Sequence, residues 1–192
     1  MKTLIILLST VFTAFNINIA HSAEAKCDLK EHRAQVETLN NIERTYGLTK
    51  NTLAILACTE SQMGTNLGKR GNIFQLNNRA RKAAKCKGKP KGFYQEGVCA
   101  AKLIVLYGQT ARLNVKDSIV YAKGAHILGP AGIRDALYAL NNDKFNRGDT
   151  RSHLCNNIPN SKSCRNKSPA ELVRLWMDYN LNHIKAISDT AN

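Results

Sequence analysis

Beyond a short N-terminal leader, the 192-residue chain is long enough for one domain with a real core and too short for two. Its formal net charge of +14 favours an anionic partner: nucleic acid, an acidic membrane face, or an acidic polymer such as a cell wall. No stretch after the leader is long and apolar enough to cross a bilayer, so no transmembrane segment is expected once the leader is removed.

In chain order, Lys2 gives a positive start, Leu4 to Phe15 form a short apolar run, and Ala23-Glu24-Ala25 supplies a small-x-small cleavage signal. This is the layout of a secretory signal peptide over residues 1–25. An uncleaved N-terminal anchor is the alternative. Export argues against nucleic acid as a natural target, and the expected location is the periplasm, with release outside the cell as the other outcome.

The rest reads as helical. Val36, Leu39, Ile42 and Tyr46 fall at helical spacing between Leu29 and Tyr46, with Gly47 as a stop. Thr49 or Asn51 can cap a second helix through Leu53, Ile55, Leu56 and Cys58, ending near Gly64. A third is predicted from about Val98 to Leu113, a fourth from Ile119 to His126 capped by Asp117 or Ser118, and a fifth from Gly132 to Leu140. Ser168-Pro169-Ala170-Glu171 combines a capping box with proline at the first helical position. It opens a last helix whose stripe is Leu172, Leu175, Trp176, Tyr179 and Ile184, and Trp176 reads as core. Strand character is confined to a short Asn72–Asn77 segment. The predicted fold is therefore mainly α, with at most a short β-hairpin region, stapled by disulfides.

All six cysteines lie beyond the leader, and an even number in an exported chain reads as three disulfides. Six allow about fifteen pairings. Cys86–Cys99 and Cys155–Cys164 would each pin one of the irregular segments, Asn77–Gly97 and Asn141–Lys167. That leaves Cys27–Cys58 to tie the N-terminal part to the segment carrying Glu60. No metal is expected, because there is no C-x-x-C pair and His153-x-Cys155 lacks convincing partners.

The block Leu53 to Gln62 puts a carboxylate, Glu60, near the end of an apolar helix, and a Gly/Asn turn then leads into Gly71-Asn-Ile-Phe-Gln-Leu-Asn77. A carboxyl among apolar walls keeps its proton more readily, as a general acid must. Spacing alone fits equally well a surface glutamate on the helix's polar side.

Three ordered motifs carry a resemblance. Glu60-Ser61, followed about a dozen residues later by Gly-x-x-Phe-Gln-Leu-Asn, resembles the glutamate and "G-L-M-Q" motifs of lytic transglycosylases. Tyr46-Gly-Leu-Thr resembles that family's lead-in to the catalytic helix. Ala125-His-Ile-Leu-Gly-Pro-Ala-Gly132 resembles its "A-Y-N-x-G-x-G" motif, and more closely the Ala-His-x-Leu-Gly variant of secretion- and flagellum-associated members. The matches run from about Tyr46 to Leu137.

The resemblance implies a lysozyme-like domain over 26–192 that cuts the β-1,4 bond between N-acetylmuramic acid and N-acetylglucosamine in peptidoglycan. It implies local wall opening for an envelope-spanning secretion or conjugation machine, with housekeeping turnover as the alternative; no cofactor is expected, and the chain is expected to be a monomer. Glu60 would be the catalytic acid and later the base. Ser61 would support the site, and Gln75 would hydrogen-bond the substrate or the glutamate region. Asn77 would offer an amide on the substrate side. His126 stands where many relatives carry a tyrosine near the glutamate, and a plain core histidine is the alternative. Asn72 departs by one residue from the motif glycine, which implies an extended turn, and Ile127 replaces the usual asparagine.

No Asp or Glu occurs between Glu60 and Glu96. A conventional glycosidase needs a carboxyl pair. A lytic transglycosylase needs one, because the sugar's own 6-hydroxyl attacks the anomeric carbon and gains the advantage of proximity. Glu96 and Asp117 remain able to fold back toward the site, which keeps a hydrolytic muramidase or chitinase-like enzyme as the alternative. A wall-binding protein without catalysis is the other. Arg79 to Lys91 packs seven Lys or Arg into thirteen residues. It reads either as one bank of a cleft holding anionic groups or as a solvated loop.

Overall fold

The apolar run Leu53-Ala-Ile-Leu-Ala has no polar face, and a helix apolar all round belongs inside a core. In the computed structural model these five residues are fully buried, and they form the start of a central helix. The structure describes residues 27–68, 70–86, 88, 90–114, 119–158, 164 and 166–190. The expected leader over 1–25 and the expected caps Asp117 and Ser118 lie outside them.

After a 3-10 turn, Leu29–His32, the elements are α1 Arg33–Tyr46, α2 Thr52–Ser61, α3 Asn78–Ala83, α4 Phe93–Ala111, α5 Ile119–Asn142, α6 Thr150–Cys155 and α7 Pro169–Asp189. The fold is mainly α, with no strand among the described residues. α2 runs through the middle and touches α1, α4, α5 and α7, while α5 packs most closely on α4 and α7. Gly47 ends α1 in left-handed backbone, as its position predicts.

The caps of α2 differ from expectation. Asn51 precedes the helix, but its side chain makes no capping bond. The carboxylate of Glu43, on α1, instead accepts the N–H of Asn51 at 2.7 Å and of Leu53 at 2.5 Å. A helix start buried in the core still needs acceptors for its orphan donors, and a neighbouring helix supplies them.

The predicted fourth and fifth helices are the two halves of α5, joined across a kink at Gly129, which has φ 68° and ψ 174°, with Pro130 following. Only glycine adopts that backbone without strain. α7 carries the predicted capping box, with Ser168 Oγ accepting from the Glu171 N–H and Glu171 answering to the Ser168 N–H at 2.9 Å. Trp176 is core, 1% exposed.

Two expected disulfides are present, Cys27–Cys58 and Cys86–Cys99. The expected Cys155–Cys164 bond is not: both are thiols. The fold nevertheless brings them within hydrogen-bonding reach, and burial, followed by that hydrogen bond, pushes the Cys155 thiol up to about 11.

Candidate active site

Glu60 is the penultimate residue of α2, and its side chain is 21% exposed although Thr52 to Cys58 are buried. The helix stops there because Gln62 and Met63 adopt left-handed backbone, φ 50° and 56°. Such backbone costs on the order of 1 kcal/mol per L-residue and needs fixing by its surroundings. The Gln62 N–H reaches the Cys58 carbonyl at 2.9 Å and the Met63 N–H the Ala57 carbonyl at 3.1 Å. Ser61, 2% exposed, donates its hydroxyl to the Ala57 carbonyl and accepts the Gly64 N–H at 2.9 Å. Ser61 therefore shapes the turn that leaves Glu60 at the open end of the core helix.

The Asn72–Asn77 segment is not a strand. Asn72, 4% exposed, donates its amide to the Arg70 and Leu76 carbonyls at 3.1 Å each and accepts the Leu76 N–H at 2.7 Å. One side chain thus satisfies the backbone groups that a ladder would have paired, which explains why asparagine serves here in an extended turn. Gln75, with φ 50°, donates its amide to the Leu67 carbonyl at 2.5 Å and the Asn72 carbonyl at 2.9 Å. Asn77 is exposed, and its side-chain oxygen caps α3 by accepting the Ala80 N–H at 2.8 Å. Both predicted substrate amides are thus engaged in holding this segment together.

The segment meets α5 over Glu60. Phe74 is fully buried, its backbone lies beside the His126 imidazole, and His126 Nε2 lies 3.9 Å from Glu60 Oε1. The His126 side chain is 7% exposed. Burial lowers its pKa; the Glu60 charge and then the Phe74 backbone oppose that, and the charges of Arg70 and Lys123 add to it. The imidazole is therefore neutral at neutral pH, and its contact with Glu60 is not an ion pair. Its Nδ1 has no hydrogen-bond partner among the described residues.

Lys123 is a part of this cluster that sequence reasoning missed. It lies one helical turn before His126 on the same face of α5 and is 2% exposed. Burial lowers its pKa to about 8 against the opposing pull of the Glu60 charge. On α7, burial and then the Lys123 charge bring His183 down to about 4. The cluster therefore joins α2, α5 and α7 around one carboxyl and one buried ammonium. The three-residue spacing to His126 was the available signal, but lysine reads by default as solvated.

Two other carboxylates bear on the chemistry. Glu96, in the first turn of α4, does fold back: its Oε2 accepts the Ile73 N–H at 2.6 Å. Glu43 sits at the opposite end of α2, beside a polar groove of about 640 Å³ lined by Asn40, Arg44 and Lys50 among others. That groove does not include Glu60. Compared with known proteins, the chain matches no family model, no curated protein and no solved structure.

Chemically, the site offers one carboxyl group open to solvent at a helix end, with a neutral imidazole beside it and a cation behind. Such a carboxyl can give and take a proton at a bound substrate, and the rigid turn after α2 holds it in one direction.

Proposed function

We propose that the chain is a peptidoglycan lytic transglycosylase, cleaving the β-1,4 bond between N-acetylmuramic acid and N-acetylglucosamine with Glu60 as acid and then base. The observation that carries this reading is the convergence at Glu60 of the end of α2, the 71–77 segment and α5. Those are the segments whose motifs resemble the family in sequence. In this mechanism Glu60 protonates the glycosidic oxygen, then removes the proton of the sugar's own 6-hydroxyl as it attacks the anomeric carbon. The neutral His126 imidazole, its Nε2 3.9 Å from Glu60, positions the carboxyl without competing for the proton. Export to the periplasm and service to an envelope-spanning machine belong to the same proposal.

A hydrolytic muramidase or chitinase-like enzyme is the second reading, favoured by one observation: Glu96 reaches the backbone of the same 71–77 segment. Mass spectrometry of products from purified peptidoglycan separates the two. The expected products are 1,6-anhydro ends, absent with Glu60→Gln. Reducing ends that vanish in Glu96→Gln would establish the hydrolase instead. Undiminished lysis by Glu60→Gln would remove Glu60 from both.

A further inference from the structure

The basic stretch after the 71–77 segment is a built surface rather than a loose loop. Asn77 caps α3, Ala80 and Ala84 are buried against the core, and the Cys86–Cys99 disulfide ties the far end to α4. Arg79, Lys82, Lys85 and Lys91 are all exposed, and none forms an ion pair among the described residues. No acid lies in the sequence from Ser61 to Gln95 to neutralise them. Arg70, on the other side of the same segment, is exposed and donates its guanidinium to the Gln75 carbonyl. Fixed cations thus flank the segment whose Phe74 backbone meets His126. Held in place without internal partners, they repel one another and favour an anionic ligand.

We propose that this basic bank, α3 and the turn after it, binds the free carboxylates of the peptide stems that branch from the glycan, a proposal that rests on the wall-cleaving reading. Stems leave the strand at the muramic sugar, next to the bond to be cut, so their carboxylates reach whatever surface borders the site. An anionic lipid surface fits less well. α3 has six residues and turns Ala80 inward, so the helix itself offers no large apolar side chain to insert beside the charges.

The test measures binding of Glu60→Gln, which leaves strands uncut, to intact purified peptidoglycan and to glycan strands stripped of stems by an amidase. The same measurements are made with Arg79→Glu, Lys82→Glu and Lys85→Glu combined on that background. Circular dichroism and a thermal melt check that the exposed substitutions leave the fold intact. Three exposed ion pairs predict about fivefold to tenfold tighter binding to intact wall than to stripped strands, weakened by salt. Amide hydrolysis leaves one lactyl carboxylate on each muramic sugar, so the combined variant weakens on stripped strands too, but loses more on intact wall, and the difference between the two materials disappears. Equal binding of the parent to both materials overturns the proposal, as does a difference that survives charge reversal. Charge-sensitive binding to vesicles of anionic lipid, with no preference for intact wall, assigns the bank to a membrane and overturns it too. Product analysis of the wild type reads the catalytic assignment separately, so either can fail alone.

Discussion

Lys123 is the residue whose chemistry is set most completely by its surroundings. Lysine loses its hydration when buried, and the folded chain holds the Lys123 proton less readily than the unfolded chain, with a pKa lowered from 10.5 to about 8. The cost to stability is full below about pH 8 and disappears as pH rises toward 10.5, where both states are neutral. Lys123→Met, similar in volume and uncharged, is therefore expected to stabilise the protein at pH 7 by up to about 3 kcal/mol. In thermal melts the gain should shrink between pH 8 and 10.5. Glu60→Gln removes the counter-charge and should lower stability more in the wild type than in the Lys123→Met background. A double-mutant cycle should return about 1 kcal/mol of coupling, and a value near zero would show that the two charges do not interact. The same melts establish that loss of lysis in Glu60→Gln is chemical and not a loss of fold.

Glu43 carries the opposite sign. Burial raises it from 4.5 to about 7, against the lowering effect of the Leu53, Asn51 and Ala54 backbone hydrogen bonds and of the Lys50 charge. Between those values the folded state binds more proton than the unfolded state, so stability falls as pH rises from about 4.5 to about 7 and then levels off. The fall attributable to this one group is about 3 kcal/mol at most. Urea titrations across this range should show it, and Glu43→Gln should flatten it. An equal slope in the variant would assign the pH dependence to other groups.

At the scale of elements, α5 and α7 approach closely because Gly124 has no side chain. A Cβ there would lie 2.7 Å from Ile133 Cδ1 and 3.2 Å from Trp176 Cη2. Alanine is the better helix former, yet Gly124→Ala is expected to destabilise by about 1–3 kcal/mol through overpacking, measured as a lower denaturation midpoint. A neutral or stabilising result would mean that Ile133 swings aside freely. α7 was legible down to its cap, because Ser168, Pro169 and Glu171 act within one turn. α3 and α6, six residues each, were not, because so short a helix shows too little periodicity to distinguish it from a loop. The sequence allows at most a short strand over Asn72–Asn77, and the turn found there is not legible because the amide that replaces a ladder is one polar side chain among several.

For the molecule as a whole, the two disulfides join segments that packing alone holds less tightly. Cys27–Cys58 spans 31 positions and Cys86–Cys99 spans 13. Chain-entropy arguments assign about 3–4 kcal/mol to the longer loop and about 3 kcal/mol to the shorter. Replacing Cys27 and Cys58 together by alanine should lower the melting temperature more than the same change at Cys86 and Cys99. The reverse order would show that the basic surface, not the α2 anchor, is the more dependent on its staple.

The sequence by itself determined the helical class, the long helices, the stop at Gly47, the core role of Trp176 and the local Cys86–Cys99 pair, because each rests on local periodicity, local capping or short loop closure. It also marked Glu60 and His126 as candidates, by their order along the chain. Only the tertiary structure decided that they stand 3.9 Å apart, that Lys123 lies buried within reach of the Glu60 charge, and that Glu43 caps the far end of α2. Those facts depend on which helix faces cross. Crossing is fixed by packing between residues tens of positions apart, and no local pattern records it.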